Sequence, residues 1–252
     1  MDRRDLPLAR GLPRGPQFNR TDAIMLIHIP DVLTAGELAA CRRLLADAPW
    51  QEGSLTAGDQ AVQAKHNLQI PADSAAAREL GEIVLAALGR NSAYHSAALP
   101  LRVLPPRFNR YGPGMTYGTH VDNAIQSIPG SGGARIRGDV SSTLFLSDPD
   151  AYEGGELVIE TGAGVQAVKL PAGHQVVYPA STLHRVEPVT RGTREAAFFW
   201  AQSLVKDDGQ RMMLHDLDLA IMAIRRKLGD GDHAVLSLVN HYHNLLRRWA
   251  EL

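Results

Sequence analysis

The sequence predicts an α+β fold: an antiparallel β-sandwich or barrel with helices before and after it. Three observations carry this. Short β-prone runs separated by Gly, Pro, Asp and Asn crowd residues 100–206. Helical periodicity precedes them and returns after them. The 252 residues, 44% of them hydrophobic, are enough for one generous core.

Residues 1–24 are rich in Arg, Pro and Gly and hold no sustained apolar period, so they read as a disordered tail or upstream extension. Folded structure is expected from Met25, where "MLIHIPDVL" opens an apolar, strand-like run, and Met25 reads as the genuine start. Residues 25–99 form an N-terminal helical support region of the same domain. There Thr34 and Glu37 make a capping-box signature, and Leu38, Cys41 and Leu45 share one helical face. A second helix is expected after Asp73 and Ser74, with Leu80, Val84 and Leu88 on one face and Gly89 as its stop. The stretch 51–72 between them looks extended or looped.

The β core is placed at 100–206, in eight runs: "LRVLPPRFNRY", "GTHVDN", "VSSTLFLSD", "GELVIET", "GVQAVKL", "HQVVYP", "HRVEPV" and "REAAFFWAQSLV". "SIPGSGGARIRGD", 127–139, reads as the longest loop, of the kind that covers sites. Residues 207–252 return to helical period. Leu214, Leu217, Ile221, Ile224 and Leu228 form one stripe, "GDGD" turns the chain, and Val235, Leu238, Tyr242, Leu245 and Trp249 form another. This is an αα-hairpin that packs on the barrel or on a second subunit, which would make a homo-oligomer.

Composition excludes several classes. A net charge of −1 gives no chain-wide field for nucleic acid or anionic membrane. No apolar run is long enough for a transmembrane helix, and no secretory h-region follows a basic start. The single cysteine, Cys41, makes no internal disulfide and fits a reducing, cytoplasmic setting as a small core residue.

In "YGTHVDN", His120 and Asp122 stand at i and i+2, which on a strand puts both on one side. An isolated pair of this kind is ordinarily just the polar face of a strand. His184, which opens a later β-run, offers a third ligand, and two histidines with one carboxylate on a β scaffold match the facial triad of non-haem Fe(II) oxygenases. Arg194 opens the following run. If 184–189 and 194–205 pair as a hairpin with Arg194 opposite Pro188, it stands about 13 Å along the sheet from His184 at roughly 3.3 Å per residue. A long Arg side chain and a short dicarboxylate bound end-on to the metal together fill that gap; a surface arginine after a turn is the plainer reading. Gly154 and Gly155 in "YEGGEL" supply permissive backbone. His174 reads as a turn cap, and His28, His66, His95, His215 and His233 stand apart from any ligand pattern. His241 and His243 do not share a helix face.

Together "RFNRYGPGMTYGTHVDN", "SDPDAYEGGELVIE", "LPAGHQVVYPASTLHRVEPVTRGTREAAFFW" and the helical tail resemble the PKHD-type hydroxylases, bacterial Fe(II)/2-oxoglutarate-dependent dioxygenases often linked to iron uptake. The resemblance covers about residues 25–252. It implies a double-stranded β-helix (jelly-roll, cupin-like) core, Fe(II) on His120, Asp122 and His184, and the distal carboxylate of 2-oxoglutarate on Arg194. It also implies Tyr111 on the co-substrate, with Tyr117 close enough to compete for that role, O2 as second co-substrate and L-ascorbate to keep iron ferrous. The reaction implied is hydroxylation of an unactivated C–H bond, coupled to decarboxylation of 2-oxoglutarate to succinate and CO2. The primary substrate is left open between a peptide or protein side chain and a small metabolite such as a siderophore. The alternative is a non-catalytic metal- or small-acid-binding barrel, acting as a sensor or accessory factor in iron uptake.

Overall fold

A computed structural model describes residues 25–53, 65–162 and 164–252; the expected tail at 1–24 and part of the 51–72 stretch lie outside them. The chain opens with β1 (Ile27–Ile29), α1 (Ala35–Ala46), the short strands β2 (Gln51–Glu52), β3 (Lys65–His66) and β4 (Leu68–Gln69), then α2 (Ala75–Arg90) and α3 (Ser92–Ala98). α1 starts at the expected capping box: Glu37 N donates to Thr34 Oγ1 at 3.3 Å, and Thr34 N donates to the Glu37 carboxylate at 2.8 Å. Ser74 caps α2 by accepting from Ala77 N. Gly89 does not stop that helix. It runs to Arg90, where Asn91 ends it and, by accepting from Tyr94 N, starts α3, a helix the periodicity did not reveal. A glycine one residue from a helix end costs only about 0.5–1 kcal/mol, less than a good cap returns.

The β region follows: β5 (Pro100–Val103), β6 (Arg107–Tyr111), β7 (Thr116–His120), β8 (Ile125–Ser127), β9 (Arg135–Arg137), β10 (Val140–Phe145), β11 (Tyr152–Gly154), β12 (Leu157–Thr161), β13 (Gly164–Val168), β14 (Gln175–Pro179), β15 (His184–Val186), β16 (Val189–Gly192) and β17 (Arg194–Ser203). One large antiparallel sheet runs β1-β14-β10-β17-β6-β4-β2, with β5 also on β17; a second runs β13-β12-β15-β7-β3. Neighbours in sequence cross repeatedly from one sheet to the other, as in a jelly roll. β10 and β14 are buried at every residue because both their faces are covered. Outside the large sheet lie α1, α2 and α3, whose Cys41, Leu45, Leu80 and Val84 pack with Phe108, Leu144 and Phe199. Tyr111, Phe145, Ile159, Val176, Tyr178 and Val186 form a second apolar cluster.

Two expectations are corrected. Residues 184–189 and 194–205 do not pair: β15 joins β12 and β7 in the smaller sheet, whereas β17 joins β10, β6 and β5 in the larger one. Between them β16 pairs with β11, and the chain turns at Gly192 (φ 77°), where a Cβ would lie 2.1 Å from Ala151 O. Run spacing cannot distinguish a hairpin from such a crossing. The stretch 127–139 is also not simply a loop, since β8 and β9 pair as a hairpin, Ile125 opposite Arg137.

The C-terminal αα-hairpin is present as α4 (Asp208–Leu228) and α5 (His233–Trp249). Leu214 packs with Leu99 and Val205 beneath Tyr242, Leu245 and Trp249. Among the described residues no helix is long and apolar enough to cross a membrane.

Candidate metal centre

His120 is the last residue of β7, and Asp122 lies two residues past the strand end. Strand alternation therefore does not bring them together, contrary to expectation. The chain leaves the sheet after His120, and Asp122 is anchored from the opposing sheet by Ser141 of β10, whose hydroxyl donates to Asp122 Oδ2. His184 arrives through register: it opens β15 directly opposite His120, with ring centroids 4.2 Å apart.

Each imidazole is oriented by its own backbone. His120 Nδ1 lies 2.9 Å from Gly118 O, and His184 Nδ1 lies 2.9 Å from Thr182 O. A carbonyl can only accept, so each Nδ1 carries a proton and Nε2 is the nitrogen left to serve an ion. One ligand atom from each of His120, Asp122 and His184 lies within 4.8 Å of the other two, and His184 Nε2 is 3.9 Å from Asp122 Oδ2. Burial and the neighbouring His184 push the His120 imidazole down to about 4, so it is neutral and ligand-ready at physiological pH. Two imidazoles and one carboxylate can hold one divalent ion and leave positions open.

These residues line one cavity of about 930 Å³ that also includes Arg194, Tyr111 and Tyr117. Arg194 reaches it from the large sheet, where it stands opposite Tyr111 in register. Its guanidinium is 1% exposed, lies 5.3 and 5.4 Å from the rings of Tyr111 and Phe145, and leaves Nε and Nη1 without hydrogen-bond partners. A buried cation with open donors suits a small carboxylate facing the ion. Gly155 (φ 66°) makes room for it, since a Cβ there would sit 3.2 Å from Arg194 Cδ.

The two tyrosines divide. Tyr111 is buried against Arg194 and its hydroxyl accepts from Asn67 Nδ2 at 2.8 Å, whereas Tyr117 stacks on His120 at 3.7 Å between centroids. Burial raises both phenols, Tyr117 to about 12, so both stay protonated. Ser141 carried no signal in sequence beyond a β-prone run, and neither did Tyr178, which meets the His184 ring edge-on at 5.3 Å. Among the histidines set aside, His174 is more than a turn cap: its Nδ1 lies 2.9 Å from His28 Nε2 and its Nε2 lies 3.4 Å from Asp31 Oδ1. His215 is buried and bonded to Ser96 Oγ.

Residues 106–202 match the 2OG-Fe(II) oxygenase superfamily and residues 208–251 match the PKHD-type hydroxylase C-terminal domain. The chain is 70% identical over 228 residues to a PKHD-type hydroxylase of Cupriavidus metallidurans, covering 90% of this chain and all of that protein. A PKHD-type hydroxylase of Methylobacterium nodulans is 63% identical over the same share of each chain. In structure the chain is similar to the non-haem alpha-ketoglutarate-dependent carbocyclase SnoK from nogalamycin biosynthesis, with a TM-score of 0.52 and 16% identity over 72% of this chain and 81% of that one, a likeness of fold.

Proposed function

This chain belongs to the PKHD-type hydroxylases within the 2OG-Fe(II) oxygenase superfamily, and from that premise we propose that His120, Asp122 and His184 hold Fe(II) while Arg194 takes the distal carboxylate of 2-oxoglutarate. It is an enzyme of that type, and Fe(II), 2-oxoglutarate and O2 are the cofactor and co-substrates the family implies. The alternative of a non-catalytic sensor is not favoured. Bound iron supplies the O2 activation that couples oxidation of 2-oxoglutarate to succinate and CO2 with hydroxylation of an unactivated C–H bond.

The residues of the chain supply geometry and charge. Gly118 and Thr182 carbonyls fix the two imidazoles, and Ser141 fixes the Asp122 carboxylate, so the donor set is in place before any ion arrives. Arg194 orients 2-oxoglutarate from the opposing sheet, with Tyr111 alongside, and the apolar surround of Phe145, Val186 and Tyr178 keeps that end of the cavity dry. The observation that carries this reading is the convergence of a three-donor cluster and a buried guanidinium with open donors on one cavity. In the same reading L-ascorbate keeps the iron ferrous, the enzyme works in a reducing cytoplasm, and its substrate is a peptide side chain or a small metabolite. Self-association through α4 and α5 belongs to it too, since Leu219 and Leu236 stand about half exposed. The test is anaerobic loading with Fe(II), then O2. Wild-type protein should convert 2-oxoglutarate to succinate, His120→Ala should not, and full activity in that variant would refute the assignment.

A further inference from the structure

Tyr111 has a second neighbour besides Arg194. β4 pairs with β6, Leu68 opposite Arg110, so the residue before it, Asn67, comes alongside Tyr111 on the side away from Arg194, which faces Tyr111 from β17. Asn67 stands where the chain steps from β3 in the smaller sheet to β4 in the larger one. Asn67, Tyr111 and Arg194 form one row across the large sheet, each 1% exposed, and all three line the cavity.

The Asn67 amide is held in one orientation. Its Nδ2 donates to the Tyr111 hydroxyl at 2.8 Å. Its Oδ1 is turned toward Gly53, where the missing side chain makes the room, since a Cβ there would collide with that oxygen. Gly53 N donates to Asn67 O at 2.7 Å and ties the two segments together. Although buried, Oδ1 makes no hydrogen bond. An unpaired buried carbonyl costs stability, so packing alone gives no reason for an amide at this position. Its effect on the phenol does. A tyrosine hydroxyl has one hydrogen to give and lone pairs to receive. Asn67 occupies the receiving side, burial keeps the proton on the oxygen, and no described residue accepts that hydrogen. It is left for a ligand beside Arg194.

We propose that Asn67 is a positioning residue for the co-substrate: by donating to the Tyr111 hydroxyl it makes that hydroxyl a donor, which joins the Arg194 guanidinium on the distal carboxylate of 2-oxoglutarate. Gly53 serves the same end by leaving the space the amide needs. An aliphatic side chain at 67 leaves the phenol free to turn its hydrogen elsewhere, so the loss falls on ligand affinity, and on the distal carboxylate alone. This rests on the oxygenase reading above. The probe is 2-oxoglutarate, with 2-oxopentanoate as the same chain lacking the distal carboxylate, titrated by calorimetry into protein loaded with nickel(II). Asn67→Leu should weaken 2-oxoglutarate about tenfold, as for a lost hydrogen bond to a charged group. It should leave 2-oxopentanoate and nickel(II) affinity within about twofold, which also shows that the variant is folded. Gly53→Ala, which displaces the amide without touching Tyr111, should act in the same direction. In Tyr111→Phe, which has no hydroxyl to orient, adding Asn67→Leu should cost at most about a further twofold, an outcome that a merely structural role for Asn67 would not produce. The proposal is overturned if Asn67→Leu binds 2-oxoglutarate as tightly as wild type, if 2-oxopentanoate weakens equally, or if the loss is as large in the Tyr111→Phe background. Should Asn67→Leu fail to hold nickel(II), Gly53→Ala decides by the same three outcomes. Failure of the oxygenase reading looks different: wild-type protein then does not bind 2-oxoglutarate at all.

Discussion

Replacing Arg194 with methionine should separate ligand affinity from stability, two quantities that usually fall together. The guanidinium is 1% exposed and two of its nitrogens make no hydrogen bond. Each unsatisfied buried donor costs about 1–3 kcal/mol, so the ligand-free protein carries a penalty of about 2–6 kcal/mol at this side chain. Against it stand the contacts with the Tyr111 and Phe145 rings, worth about 0.5–2 kcal/mol each. Methionine fills much of the same volume without charge, so ligand-free stability should stay within about 2 kcal/mol of wild type or rise. Binding should behave oppositely. Truncating one partner of a buried charge pair costs about 2–5 kcal/mol, roughly 30-fold to several-thousand-fold in the Kd for 2-oxoglutarate. Thermal unfolding with nickel(II), with and without 2-oxoglutarate at 100 times its wild-type Kd, reads both effects. The wild type should gain about 2.7 kcal/mol from the ligand, roughly 5–10 °C in Tm for a chain of this size, and the variant at most about 0.9 kcal/mol, the gain left by a 30-fold weaker Kd. A variant that loses more than about 4 kcal/mol without ligand, or that keeps the ligand-induced shift, would refute the reasoning.

Ser141→Ala removes the hydroxyl that orients Asp122; metal affinity measured by competition with a chelator should fall about 10–100-fold with the fold intact. Gly155→Ala puts a Cβ 2.9 Å from Val189 Cγ2 and 3.2 Å from Arg194 Cδ at a φ of 66°, so denaturant unfolding should show a loss of about 1–3 kcal/mol and 2-oxoglutarate should bind more weakly.

The helices were legible because their signals are local. Thr34 with Glu37, Ser74 with Ala77, and the stripes ending at Leu228 and Trp249 each depend on residues within one or two turns. The strand runs were legible for the same reason, as were the residue types of the candidate site: His120, Asp122, His184 and Arg194 stand out as polar groups in β-prone surroundings. Partnership between runs has no local signature. Spacing made His184 and Arg194 look like one hairpin, whereas the chain carries them to opposing sheets, and it is that crossing which lets Arg194 face the cavity.

By itself, then, the sequence determined the periodicities, the caps and the kinds of ligand, since each follows from neighbouring residues and backbone sterics. The tertiary structure decided which groups share a point in space. It set His120 opposite His184 through strand register, turned Asp122 inward through Ser141 from another sheet, and brought Arg194 from the larger sheet into the same cavity. The physical reason is that cross-strand pairing and burial are long-range: an imidazole becomes neutral, or a guanidinium unpaired, only because residues distant in the chain have excluded water around it.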